Sequence, residues 1–316
     1  MRRRTFITQA AFAGLVTQLP LATRAATPRS QFVRSSTAEE VTAGLNLAGK
    51  TAVVTGCNSG IGFETMRVLA MRGTHVIGTA RTMDKGKEAC RQVKGKITPV
   101  PLELTDFDSV VACADAIRAM NVNIDMLILN AGIILANWQR VKGIEKQFVV
   151  NHLGHFILTQ RLLDRVIAAR QGRVVVVGSG NHRDAPEGGI QFEDLSGRDW
   201  YKKGYHHSKL ANGLFSLELS QRLRTTRATS NCVTPGPVRT NIRRDLPAGS
   251  APDNLKSPAE GAATICYVAA HPLLSGVSGE YFSDCNPALQ GKYQTDRAMA
   301  AKLWQVSTQL TRSYLI

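Results

Sequence analysis

Tyr205-His206-His207-Ser208-Lys209 sets a phenol and an ammonium four residues apart, and Leu210, Leu214 and Leu217 continue with helical spacing. On one helix face the cation stabilises a phenolate, so Lys209 is expected to draw the Tyr205 pKa down toward working pH, as a general acid/base requires. The Tyr-x-x-x-Lys spacing alone is common. Its weight comes from Ser179 at the end of the apolar run 173–177 and from Asn151 in Asn151-His152-Leu153-Gly154-His155-Phe156. Asn130-Ala131-Gly132 and Pro235-Gly236-Pro237-Val238-Arg239-Thr240 follow two further β-rich runs.

These residues need elements to hold them. Thr51-Ala52-Val53-Val54-Thr55 reads as a short strand, a glycine turn follows, and a helical stretch runs through Arg72. Strand-like runs recur at 75–79, 97–102, 126–129 and 173–177 with helical stretches between them. Alternation of this kind predicts an α/β fold, a doubly wound parallel sheet of the Rossmann type in a single domain over 48–312. All the candidate residues then lie at the carboxyl edge of the sheet, where such folds bind ligands.

The turn Thr55-Gly56-Cys57-Asn58-Ser59-Gly60-Ile61-Gly62 puts glycines where a tight turn, a close pyrophosphate and helix packing would need them. It carries neither the Gly-Lys-Ser/Thr of a P-loop nor a Gly-x-Ser-x-Gly elbow, which argues against an ATPase and an α/β-hydrolase. About 20 residues beyond the turn, where an acid would bind a ribose 2′-hydroxyl, stand Thr79, Ala80 and Arg81. An arginine there suits a 2′-phosphate, so the expected cofactor is NADP(H); a surface arginine at a strand end is the alternative.

With these motifs in order, residues 48–312 resemble the short-chain dehydrogenase/reductase family. The 151–156 segment, His207-Ser208-Lys209-Leu210-Ala211-Asn212, Ser278-Gly279-Glu280-Tyr281-Phe282-Ser283-Asp284-Cys285 and a C-terminal helix with Lys302-Leu303-Trp304 resemble its retinol dehydrogenase branch. The resemblance implies that Tyr205 protonates a carbonyl and Ser179 orients the same oxygen. It further implies that Lys209 holds the nicotinamide ribose and tunes Tyr205, and that Asn151 anchors a water-linked proton relay. Gly56, Ser59, Gly60, Ile61 and Gly62 would line the pyrophosphate, and Asn130 and Gly132 the ribose. Glu103 and Leu104 would meet the adenine side, and Pro235, Gly236, Val238 and Thr240 the nicotinamide side.

Some residues depart from the family pattern. Leu129 replaces the first Asn of Asn-Asn-Ala-Gly, Glu103 stands for an Asp, Phe63 stands for the branch's frequent Lys, and Gly178 leaves Ser179 as the sole serine of its pair. The expected reaction is the interconversion of a hydrophobic aldehyde or ketone and its alcohol, with loops 181–204 and 239–256 shaping the pocket. A pigment reductase resembling protochlorophyllide reductase and a non-catalytic NADP-binding protein are the alternatives. No cysteine or histidine spacing suits a metal, so none is expected. His152 and His155 read as packing or hydrogen-bonding residues, and no disulfide is required.

Composition bounds the rest. The chain has 316 residues, 43% hydrophobic, and a net charge of +15. No apolar run is long enough for a stable membrane span. Arg2, Arg3, Arg4, Arg24, Arg29 and Arg34 precede the first acid, Glu39, so much of the excess belongs to a leader and does not argue for nucleic acid. Arg2-Arg3-Arg4-Thr5-Phe6-Ile7, an apolar stretch 7–22 and Ala25-Ala26 resemble a twin-arginine export signal over 1–26, which implies the periplasm; an organelle or the cytoplasm is the alternative. Residues 27–47 read as a polar linker. A homo-oligomer is compatible with the sequence.

Overall fold

Four consecutive buried residues make Thr51–Val54 (β1) a strand covered on both faces, the pattern of a central parallel strand. The same holds for Met126–Leu129 (β4) and Arg173–Val177 (β5). The computed structural model describes residues 27–315 apart from Ala248 and Ala251; the expected export signal at 1–26 lies outside the described residues. His75–Ala80 (β2), Ile97–Pro101 (β3), Thr229–Thr234 (β6), Tyr281–Ser283 (β7) and Asn286–Pro287 (β8) complete an eight-stranded sheet ordered β8-β7-β6-β5-β4-β1-β2-β3. Every pairing is parallel except β7 with β8. The strand order reverses between β1 and β4, which opens a crevice at their carboxyl ends.

Helices cover both faces. Gly60–Met71 (α2) and Pro258–Ala270 (α7) pack together with Val54, Ile128 and Val175 on one side. Phe107–Ala119 (α4), Gly154–Ile167 (α5) and Gly204–Arg222 (α6) bury Phe148, Leu158 and Leu214 on the other. The C-terminal helix Arg297–Thr311 (α8) closes this second layer, with Trp304 edge-on to Phe156 at 5.1 Å and stacked on Phe215 at 5.8 Å. Met83–Arg91 (α3) lies between β2 and β3 in the chain. Together these elements form the single doubly wound α/β domain that the alternating pattern predicts.

The segment 27–47 differs from the expected linker. Ala38–Val41 (α1) is capped at both polar ends of its first turn: the Thr37 hydroxyl accepts from Glu40 N–H, and the Glu40 carboxylate accepts from Thr37 N–H. Ala38 and Val41 are buried against the α2 and α7 side of the core. Upstream, Ser30 N–H donates to Asn286 Oδ1 at 2.9 Å, Asn286 Nδ2 donates to Phe32 O at 3.0 Å, and the Phe32 ring meets Tyr267 edge-on at 5.7 Å. Arg67 joins Glu39 of α1 to Glu64 of α2. The segment is therefore a strap fastened to a sheet edge some 250 residues away. A chain starting at Lys50 is expected to melt at least about 5 °C below one starting at Thr27, in thermal unfolding by circular dichroism; equal melting temperatures would mean that the strap adds no stability.

Candidate active site

The glycine turn leaves β1 in backbone conformations that favour glycine, with φ of 75° at Gly56 and 58° at Gly60. A Cβ on Gly62 would come within 2.2 Å of Gly56 O and 2.4 Å of Asn130 Nδ2, so only glycine lets α2 close on the turn. Ser59 caps α2 without a side-chain hydrogen bond, and the first turn of the helix holds no acid. An uncapped helix N-terminus with its N–H groups facing a cleft suits a pyrophosphate.

That cleft measures about 630 Å³ and runs along the carboxyl ends of the strands. Gly56, Ser59, Gly60, Ile61 and Gly62 line one end, with Arg81, Glu103 and Leu104 beside them. Asn130, Gly132, Tyr205, Lys209, Pro235 and Thr240 line the rest. Two expected cofactor residues sit elsewhere. Val238 is buried, its side chain filling the space where a Cβ on Gly261 would go, and Gly236, with φ of 78°, turns the chain beside Lys256. Glu103 is partly engaged by its own loop, because its Oε1 accepts from Thr105 N–H at 2.9 Å and from Thr105 Oγ1 at 2.7 Å. Among the described residues no three His, Cys, Asp or Glu side chains cluster as a metal site.

Asn151 lies in a π-turn, Val149–Leu153, that precedes α5. Such bulges distort a helix locally and are frequent at functional sites. The Asn151 side chain uses both ends: Oδ1 accepts from Ile133 N–H at 2.9 Å, and Nδ2 donates to Ile133 O at 3.1 Å and Ser208 Oγ at 2.9 Å. It thereby ties the segment after β4 to α6. A Cβ on Gly132 would lie 3.2 Å from Asn151 Oδ1 and 3.5 Å from Lys209 Nζ, which shows how closely the three positions converge.

Tyr205 and Lys209 fall in the first two turns of α6, as their spacing predicts. Lys209 is buried, its Nζ donating to Val177 O at 2.9 Å, and Asn212 Nδ2 donates to the same carbonyl at 3.1 Å. Burial pushes the Lys209 ammonium down to about 8. The Tyr205 phenol does not shift as expected. Burial raises it above its ordinary value, opposed by the Ser179 hydroxyl as a hydrogen-bond partner and by the charge of Arg243. Lys209 does not offset this burial because its Nζ stands 5.7 Å from the centre of the Tyr205 ring with a proton directed at Val177 O.

Ser179 follows β5 and Gly178, where a Cβ would meet Cys232 Sγ at 2.7 Å. Its hydroxyl donates to Asn181 Oδ1 and accepts from Asn181 N–H, both at 3.2 Å, and Asn181 Nδ2 lies 3.2 Å from His206 Nε2. Asn181 and His206 escape sequence reasoning because they belong to no recurring spacing. The same is true of the wall Ile133, Ile134, Leu135 and Ala136, although its place directly after Asn130-Ala131-Gly132 at the carboxyl edge was a usable signal. His152 and His155 are hydrogen-bonded inside the core, to Ser307 Oγ at 2.7 Å and Thr55 Oγ1 at 2.9 Å.

Comparison with known proteins agrees with this geometry. Residues 50–251 match the family described as short chain dehydrogenase. The chain is 39% identical over 306 residues to short-chain dehydrogenase TIC 32 B, chloroplastic, of Brassica napus, covering 90% of this chain and 96% of that one. It is 36% identical over 309 residues to retinol dehydrogenase 11 of Mus musculus, covering 94% and 96%. A crystal structure of an uncharacterized protein from Mycobacterium paratuberculosis superposes with a TM-score of 0.71 at 33% identity, over 86% of this chain and 97% of that one. With its doubly wound sheet, glycine turn and Tyr205–Lys209 helix, this oxidoreductase belongs to the short-chain dehydrogenase/reductase family and resembles its retinol dehydrogenase branch.

Proposed function

We propose that the protein is an NADP-dependent reductase of hydrophobic aldehydes or ketones, able to run in reverse on the alcohols. The observation that carries this reading is the meeting of Tyr205, Lys209 and Gly132 in one cleft, with Asn151 fixed beside Gly132 and the Ser179 hydroxyl lowering the Tyr205 pKa against burial. Arg81 at the end of β2 supports NADP over NAD, since its guanidinium suits a 2′-phosphate. The apolar residues Ile133 to Ala136 and Ile242 in the lining of the cleft support a hydrophobic substrate, and retinol dehydrogenases stand among the relatives.

When bound, the cofactor supplies the hydride. Ser179 and Tyr205 hold the carbonyl oxygen, and Tyr205, kept protonated by its raised pKa, gives that oxygen a proton as charge develops on it. Lys209 would hold the ribose hydroxyls as a cation and, with Asn151 anchoring a water-linked relay, would return a proton toward Tyr205. The glycine turn and the α2 N-terminus would bind the pyrophosphate, and the wall 133–136 would exclude bulk water. For residues 1–26 the proposal is export in the folded state by the twin-arginine route; fusion to a reporter, with and without Arg2 and Arg3 changed to Lys, decides it by the compartment that the reporter reaches.

Three outcomes test the enzyme. Tyr205→Phe is expected to lower kcat by about 10³-fold with NADPH affinity, read by fluorescence, unchanged; near-normal turnover would remove the acid/base assignment. Arg81→Ala should raise KM for NADPH about 10- to 100-fold and leave KM for NADH unaltered, the scale of a charge-assisted hydrogen bond. Lys209 is a cation below its lowered pKa of about 8 and neutral above it, whereas Tyr205 is raised and still protonated there. Carbonyl reduction is therefore expected to hold through neutral pH and to fall above about pH 8. A rate that kept rising through pH 9 would contradict the assignment of a cationic Lys209.

A further inference from the structure

Two buried histidines, His155 and His182, each touch the backbone of a proposed catalytic residue. Their protonation can be worked out from their neighbours. Thr55 Oγ1 accepts from Asn130 N–H and Ala131 N–H, both at 2.9 Å, which uses its lone pairs. Its own proton then goes to His155 Nε2 at 2.9 Å, the alternative acceptor, Ile128 O, lying at 3.5 Å. With Nε2 accepting, a neutral His155 carries its proton on Nδ1, 3.2 Å from Asn151 O. His182 follows the same logic. Its Nε2 accepts from Gly291 N–H at 2.9 Å, so the ring proton sits on Nδ1 and is donated to Ser179 O at 2.6 Å.

Each ring thus joins a site residue to a distant segment. His155 ties Asn151 to Thr55, the residue that opens the glycine turn. His182 ties Ser179 to the loop after β8, where a Cβ on Gly291 would sit 2.9 Å from the ring. The neighbouring Arg183 Nη2 donates to Leu289 O at 2.6 Å in the same loop. Burial lowers both histidines, His155 to about 4, so both rings are neutral at working pH and keep Nε2 as an acceptor.

We propose that His155 and His182 are positioning residues, which hold the Asn151 and Ser179 backbone carbonyls in place through their Nδ1–H groups, the Thr55 hydroxyl and the Gly291 N–H fixing that tautomer from the Nε2 side. The proposal rests on the reductase reading for its kinetic arm and on hydrogen-bond geometry for its spectroscopic arm. A misplacement of about 1 Å costs on the order of 10²-fold in rate, so loosening either carbonyl should appear in kcat.

The test compares His155→Phe and His182→Phe with the Asn and Gln variants of each. Asn sets an amide N–H where Nδ1 stood, whereas Gln reaches only the Nε2 position. The Phe and Gln variants are expected to lose about 10- to 100-fold in kcat with NADPH affinity within about threefold of wild type, and the Asn variants to recover most of the loss. Nitrogen-15 NMR of the full chain between pH 6 and 9 should show both rings as neutral Nδ1–H tautomers. Phe variants with normal kcat, Asn and Gln variants of equal activity, losses that follow NADPH affinity, or Nε2–H tautomers would each overturn the proposal. If a Phe variant does not fold, the Asn and Gln pair decides. A wild type that turns over no carbonyl removes the reductase reading, while the tautomers still decide the hydrogen bonds.

Discussion

The hydroxyl of Thr55 is the contact on which the site depends. It sits where the strand order reverses, and the two backbone N–H groups it accepts belong to the segment after β4, across the crevice from its own strand. Asn130 answers by donating its amide to Thr55 O at 2.8 Å. These three bonds set the separation between the glycine turn and the 130–132 segment, and hence the width of the cleft at its centre. A buried polar group left without partners is costly, so the arrangement has few alternatives. It also accounts for the tolerance of Leu129, which is fully buried in the core, because Thr55 and Asn130 hold the junction without a second asparagine.

From that junction the order extends outward. His155 links Thr55 to Asn151, Asn151 links the 133 backbone to Ser208, and the helix that contains Ser208 carries Tyr205 and Lys209. Lys209 and Asn212 both reach back to Val177 O, two residues before Ser179. The helix of Tyr205 and Lys209 and the glycine turn are thus joined by one hydrogen-bonded chain through the layer beneath the cleft. Positioning of this kind is what a fold contributes when a cofactor carries the hydride.

The fold and the motif residues were legible in the sequence because both are local. Buried runs such as 173–177 announce central strands, and the glycines at 56 and 60 report a turn whose conformation other residues strain to adopt, with Gly62 leaving room for its close packing. What stayed hidden was long-range or electrostatic. The strap 27–47 reads as polar linker because its partners, Asn286 and Tyr267, lie far off in sequence. The Tyr205 shift runs opposite to the helical-neighbour argument, because burial dominates and the Lys209 Nζ, 5.7 Å from the ring centre, is hydrogen-bonded to Val177 O. Val238 carries no pattern that separates packing beneath the cleft from lining it.

In the proposed reaction this cleft delivers a hydride to a carbonyl carbon while Tyr205 supplies the proton. NADPH deuterated at the transferring position of the nicotinamide ring, incubated with the protein and a hydrophobic aldehyde, tests it in one measurement. Deuterium is expected on the carbinol carbon of the alcohol, one per NADPH oxidised. NADPH oxidation that leaves the alcohol carbon unlabelled, or no oxidation with bound NADPH across aldehydes and ketones, would contradict it.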